Sequence, residues 1–216
     1  MKLYSYFRSS ASYRVRIALA LKGIAYEYVP IHLVKGEQRG EAFAAVSADR
    51  LVPVLEVGGV ALSQSLAIID YLEETHPEPR LLPREPLARA QVRALAQTIA
   101  CEVHPINNLR VLKYLSQELK VDDGAKNAWY RHWCRSGLEA VERQLSQLRA
   151  AHGPAALCFG DSPTLADCCL VPQIFNAQRF AVDVSGLPLT MAAYEAGMAL
   201  PAVQQAQPSA CPDAEG

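Results

Sequence analysis

Residues 51–76 read LVPVLEVGGVALSQSLAIIDYLEETH. VPVLEV and VALS are rich in β-formers, and Gly58-Gly59 between them suits a two-residue turn with positive φ. That pattern predicts an antiparallel hairpin. Ser65 is a natural N-cap for the helical pattern LAIIDYLEETH, which must stop before Pro77.

Upstream, MKLYSY reads as a strand. Ser12 to Lys22 follows as a helix, with Val15, Ala18, Leu19 and Lys22 at helical spacing and Gly23 as its stop. YEYVPIHL is a second strand pattern, and Gly36 to Arg50 is a polar, interrupted loop with room for a short helix. The order β-α-β-(α)-β-β-α follows. Its first two strands would pair in parallel through a right-handed crossover. The predicted class is therefore an α/β domain over residues 1–80 followed by an all-α domain.

Downstream, HPEPRLLPREP (His76 to Pro86) is rich in proline and reads as a connection, with 81–86 as the linker. Residues 87–210 are helical in pattern. Leu95, Ile99, Val103 and Ile106 keep one face apolar, as do Leu138, Val141, Leu145 and Leu148 in the next long helix. In SPTLADCCLVPQI, Thr164 as N-cap and Asp167 three residues on have capping-box spacing. The last segment, QPSACPDAEG, is expected to be a frayed tail.

The chain has 216 residues, 50% of them hydrophobic and 20% charged, with a formal net charge of -1. These values suit a folded enzyme and argue against disorder. No long basic run points to nucleic acid or an anionic membrane surface. No apolar run approaches the roughly 20 residues that span a bilayer, and the first residues lack the apolar core of a signal peptide. The six cysteines form no CxxC pair and no metal-ligand spacing with histidine, so reduced thiols in a cytoplasmic protein are expected and no metal is.

Three places can carry chemistry. If the Val52-Pro53 bond is cis, Val52 backbone groups are left at a sheet edge, where an extended peptide could pair; a plain turn explains the same dipeptide. Gln64-Ser65 at a helix start offers free N–H groups and a dipole to a carboxylate, or is simply a cap. Ser9, Ser10 and Ala11 stand before another helix, where an anion, including a thiolate, is stabilised; capping alone explains them too. Together they would suit a small anionic peptide carrying a thiol.

The chain resembles the glutathione transferase superfamily, and within it the zeta class with its maleylacetoacetate isomerases. The residues that carry the resemblance are YSYFRSSASYRVRIALALKGI, LVPVLEV, QSLAIIDYLEE, RLLP, HPINNLRVLKYL, FGDSPTLADCCLVPQ and NAQRFAVD. It implies a thioredoxin-like N-terminal domain, a helical-bundle C-terminal domain, a homodimer and reduced glutathione as cosubstrate. Carried over by position, Ser9 and Ser10 lie at the thiol, Ser9 as the thiolate-stabilising hydroxyl, with Arg8 beside them. Gln38 and the Val52 backbone hold the tripeptide, and Gln64 and Ser65 its γ-glutamyl end. His104, Asn108 and Arg110 close the site from the helical segment, while Arg8, Arg110 and Arg179 hold substrate carboxylates. An arginine suits that task because its planar fork grips a carboxylate bidentately.

The zeta motif is usually Ser-Ser-Cys followed, after one residue, by Trp. Here those positions are Ala11 and Tyr13. Glutathione brings its own sulfur, so the resemblance still implies isomerisation by reversible thiolate addition to the alkene, rotation about the resulting single bond and expulsion of the thiolate. The implied substrate is maleylacetoacetate, in the breakdown of tyrosine and other aromatic amino acids. The alternatives are maleylpyruvate as substrate, suggested by the paired asparagines before Arg110, or a non-catalytic glutathione-binding regulatory module.

Overall fold

The computed structural model describes residues 1–215. Its contacts divide the chain into two compact units, one of residues 1–81 with those from 198 on, the other of residues 82–197. The sequence-based division ran the helical domain on to residue 210.

The first unit contains β1 (Lys2–Ser5), α1 (Ser10–Leu21), β2 (Glu27–Pro30), α2 (Glu41–Ala44), β3 (Val54–Val57), β4 (Val60–Ser63) and α3 (Ser65–Thr75). The sheet order is β2-β1-β3-β4. β1 and β2 are parallel, and the other pairs are antiparallel, as the hairpin reading requires. Leu3, Val54 and Leu55 of the sheet are buried, as are Val15, Ile17 and Leu19 of α1 and Ile68, Ile69 and Leu72 of α3. Burying such apolar side chains is the main favourable term in the fold.

Two helix starts differ from expectation. The first helix begins at Ser10, two residues early, because the Ser9 Oγ accepts the Ser12 N–H at 3.2 Å and is the N-cap. The other begins at Ser65 itself, with Gln64 as N-cap in an unusual backbone conformation, φ 69°. The Val52–Pro53 peptide is cis.

The second unit is helical: α4 (Pro86–Gln97), a π-helical stretch Thr98–Val103, α5 (His104–Ile106), α6 (Leu109–Gln117), α7 (Asp123–His152), α8 (Leu165–Arg179) and α9 (Pro188–Met198). The predicted apolar face is real at Leu95, Ile99 and Val103, all buried, but Thr98–Val103 is wound more widely than an α-helix. Thr98 Oγ1 donates to the Ala94 carbonyl and accepts from Gln144 Nε2 at 2.9 Å. Thr164 and Asp167 form the expected capping box. No helix among the described residues is long and apolar enough to cross a membrane.

The tail is the largest correction. After α10 (Pro201–Ala206) and a 3₁₀ turn at Pro208–Ala210, the chain packs into the first unit rather than fraying. Cys211 is buried in a cluster with Tyr6, Phe7, Phe43, Val52 and Val54. The polar residues of QPSACPDAEG suggested solvent, but Asp213 accepts the Phe7 N–H and the Tyr28 hydroxyl in a partly buried setting.

Candidate active site

Sheet register gathers the predicted residues Arg8, Ser9, Val52, Gln64 and Ser65 at one end. Tyr4 of β1 pairs with Val54 of β3, which pairs with Ser63 of β4, while Ser5 pairs with Pro30 of β2. The chain therefore leaves or enters this row at Tyr6–Ser9, His32, Val52 and Gln64–Ser65. Placing loops at strand ends over a rigid sheet is the usual way a fold presents functional groups.

Ser9 caps α1. Its oxygen accepts the Ser12 N–H, so its own hydroxyl hydrogen remains to be donated. Ser10, the first residue of the helix, is buried. The first N–H groups of a helix have no intrahelical acceptor, and the dipole there is positive. A hydroxyl donor on this terminus is suited to a thiolate.

The loop before Ser9 is held on both sides. Buried Arg16 of α1 donates from Nη1 to the Tyr6 carbonyl at 3.4 Å, from Nη2 to the Phe7 carbonyl at 3.0 Å and from Nε to the Ala206 carbonyl at 2.9 Å. The Phe7 N–H donates to Asp213 Oδ2 at 3.2 Å.

Arg8 lies over the Phe7 ring, 4.7 Å from its centroid, and its Nη2 is 3.8 Å from Glu215 Oε2. His32 shares that carboxylate. The Lys35 N–H donates to His32 Nδ1, leaving the proton on Nε2, which lies 2.8 Å from Glu215 Oε1. This bond, with the nearby Lys35 and Arg8 charges, holds the Glu215 carboxyl below its ordinary range. The structure thus places Arg8 against a carboxylate of its own chain.

Ser65 is buried, and its Oγ accepts from Arg14 Nη1 at 3.3 Å, linking the starts of α1 and α3. Gln64 is exposed, with a positive φ that non-glycine residues seldom adopt away from functional sites. Val52 is buried beside Tyr6 and Phe7. Gln38 sits in the 3₁₀ turn Glu37–Arg39, and its Oε1 is buried with no hydrogen-bond partner among the described residues. An orphaned buried acceptor is costly without a donor, so a ligand N–H fits there.

In the second unit, His104 opens α5 and is half-buried. Asn108 is the N-cap of α6, its Oδ1 accepting the Val111 N–H at 3.2 Å, and exposed Arg110 stands in the following turn. Arg179 ends α8, donating to Asn176 Oδ1 at 2.9 Å and lying 5.9 Å from the Phe180 ring. Phe180 stacks on Tyr130 of α7 at 3.8 Å, and burial pushes the Tyr130 hydroxyl pKa up. Trp129 Nε1 donates to the Ile106 carbonyl and Asn107 Nδ2 to the Tyr130 carbonyl. One stretch of α7 thus supports both the segment after His104 and the end of α8.

Sequence reasoning passed over Arg14, Arg16, His32, Asp213 and Glu215. The first two were visible as charges inside an otherwise apolar helix, SYRVRIAL. The last two lie about 200 residues from the loop they touch, and no local pattern marks them. No group of three or more His, Cys, Asp or Glu side chains among the described residues is placed to hold a metal.

Residues 3–80 match the family model "Glutathione S-transferase, N-terminal domain". The chain is 48% identical over 214 residues to the probable maleylacetoacetate isomerase of Vibrio cholerae, covering 98% of this chain and 97% of that one. It superposes with a TM-score of 0.95 on the holo structure of a maleylpyruvate isomerase, described as a bacterial zeta-class glutathione S-transferase, at 46% identity over all of both chains. It superposes equally well, at 0.95 and 40% identity over all of both chains, on a Methylobacterium extorquens maleylacetoacetate isomerase with bound malonate and glutathione.

Proposed function

This chain belongs to the zeta class of the glutathione S-transferase family, and on that basis we propose that it is a glutathione-dependent cis–trans isomerase converting maleylacetoacetate to fumarylacetoacetate. The observation that carries the reading is Ser9: a hydroxyl with its hydrogen free to donate, on the positive end of α1, at the sheet end where Val52, Gln64 and Ser65 also lie. Bound glutathione supplies the sulfur nucleophile, which explains why Ala11 can replace the family cysteine.

The chain's residues bind and orient. Ser9 donates to the thiolate, with Ser10 next to it on the same helix terminus. Gln64 and Ser65 take the γ-glutamyl end, helped by the free N–H groups of α3. Val52 offers its backbone, and Gln38 has an unmatched acceptor for a ligand N–H. His104, Asn108 and Arg110 are assigned the remaining cosubstrate contacts, and Arg8, Arg110 and Arg179 the substrate carboxylates. The malonate and glutathione bound in the Methylobacterium relative support a dicarboxylate beside the tripeptide. We assign the enzyme to aromatic amino acid breakdown in the cytoplasm, where six free cysteines remain reduced. The family resemblance also leads us to assign it a homodimer.

Maleylpyruvate is the second reading, since a maleylpyruvate isomerase at 46% identity superposes as well as the Methylobacterium maleylacetoacetate isomerase, both with a TM-score of 0.95. Loss of maleylacetone absorbance with glutathione present tests the activity; no turnover at micromolar enzyme overturns it and leaves a binding module. Rates with maleylacetoacetate and maleylpyruvate side by side decide the substrate.

A further inference from the structure

We infer that Asp213 is a positioning residue for the thiolate-stabilising loop, an inference that rests on the reading of Ser9 given above. The loop Tyr6–Ser9 has its carbonyls held by Arg16 and one N–H held by Asp213. The Ser9 N–H in turn donates to the Tyr6 carbonyl at 2.9 Å. Releasing the Phe7 N–H therefore frees the segment that aims the Ser9 hydroxyl.

Asp213 is itself rigidly placed. Its Oδ1 accepts from the Tyr28 hydroxyl at 2.6 Å, and Tyr28 lies in β2, opposite Leu3 of β1. Burial and this bond push the Tyr28 pKa up, keeping its hydroxyl a donor. Two residues earlier, Cys211 is buried against Tyr6 and Phe7. The titratable and charged groups around the carboxylate are Tyr28 of β2, Arg16 of α1 and Cys211 of the tail, with Arg8, His32 and Glu215 next along the same edge.

A carboxylate near a thiolate raises the thiol pKa by its charge but lowers it through the geometry it maintains. Two substitutions separate these effects. Asp213→Asn keeps an acceptor for Phe7 and removes the charge; Asp213→Ala removes both. The ultraviolet absorbance of the thiolate is titrated against pH in full-length protein saturated with glutathione, alongside thermal melting.

The expected result is a bound thiol that titrates about one pH unit higher in Asp213→Ala, with turnover at neutral pH down about tenfold, and a near-wild-type titration in Asp213→Asn. A lower melting temperature with an unmoved titration makes Asp213 merely structural and overturns the inference. A bound thiol that titrates lower than wild type in both variants assigns the effect to charge and overturns it too. Should Asp213→Ala not fold, Tyr28→Phe, which removes the anchor of the carboxylate, is read the same way: an upward shift supports positioning and an unmoved titration overturns it. If wild-type enzyme leaves the bound thiol titrating as free glutathione does, the Ser9 reading has failed first.

Discussion

Arg14 Nη1 donates to Ser65 Oγ at 3.3 Å, so a buried cation on α1 is tied to the first residue of α3. The bond couples two helix starts that meet at one end of the sheet. Ser65→Ala removes the acceptor and the proposed γ-glutamyl contact together. The glutathione KM should rise about tenfold, or ~1.4 kcal/mol, with turnover at saturation little changed. Initial rates over a glutathione series check this.

Ser9 caps α1, and the proposed mechanism gives it a second, separable role. Ser9→Ala should cost ~0.5–2 kcal/mol of stability through the lost cap and lower turnover on the order of a hundredfold through the lost hydroxyl donor. Ser9→Asp would restore a cap but not the donor, so melting should recover while the rate does not. Recovery of both would remove the hydroxyl from the mechanism.

Asp167 carries more than the N-cap seen in the sequence. Besides the Thr164 N–H and hydroxyl it accepts the Cys158 N–H at 2.8 Å, all three in a buried setting. Asp167→Ala should therefore cost about 2–4 kcal/mol, above the range for a cap alone, because a second buried N–H is orphaned. Urea unfolding gives the number, and catalytic constants per folded enzyme should hold.

Gly137 of α7 lies against the π-helical stretch. A Cβ there would sit 2.3 Å from Val103 Cγ2. Gly137→Ala should destabilise by ~1–3 kcal/mol through overpacking, despite alanine's better helix propensity. Val103→Ala added to it should recover part of the loss, and a double-mutant cycle in denaturant measures how much.

Cys101 is exposed and the other five cysteines are buried. Burial pushes the Cys134 thiol up to about 11 and raises the Cys158 and Cys211 thiols as well. A thiol reagent at neutral pH should label one cysteine promptly in native protein and all six only after unfolding. Mass spectrometry of the labelled protein identifies the site.

The N-terminal fold was legible because its signals are local. The Gly58-Gly59 turn, the alternation of β-formers and the prolines from Pro77 to Pro86 each act over a few residues. The first helix was read as starting two residues late because the spacing of its apolar side chains does not show that the Ser9 Oγ accepts the Ser12 N–H and lets the helix begin at Ser10. The π-helical stretch was missed because its apolar side chains recur at ordinary helical spacing. The site residues Ser9, Gln64 and Ser65 were readable as helix starts, but His32 entered only through its shared carboxylate with Arg8.

From local pattern the chain determines its strands, its helices and the helix starts suited to a thiol-bearing anion, since turn chemistry and side-chain periodicity act within a few residues. Tertiary structure alone decides what holds those residues in place. Asp213 reaches Phe7, Arg16 reaches Ala206 and Glu215 reaches Arg8 across about 190–207 positions of chain. Contacts of that span form only after the sheet and helices have packed, because closing such loops costs entropy that local propensity cannot offset.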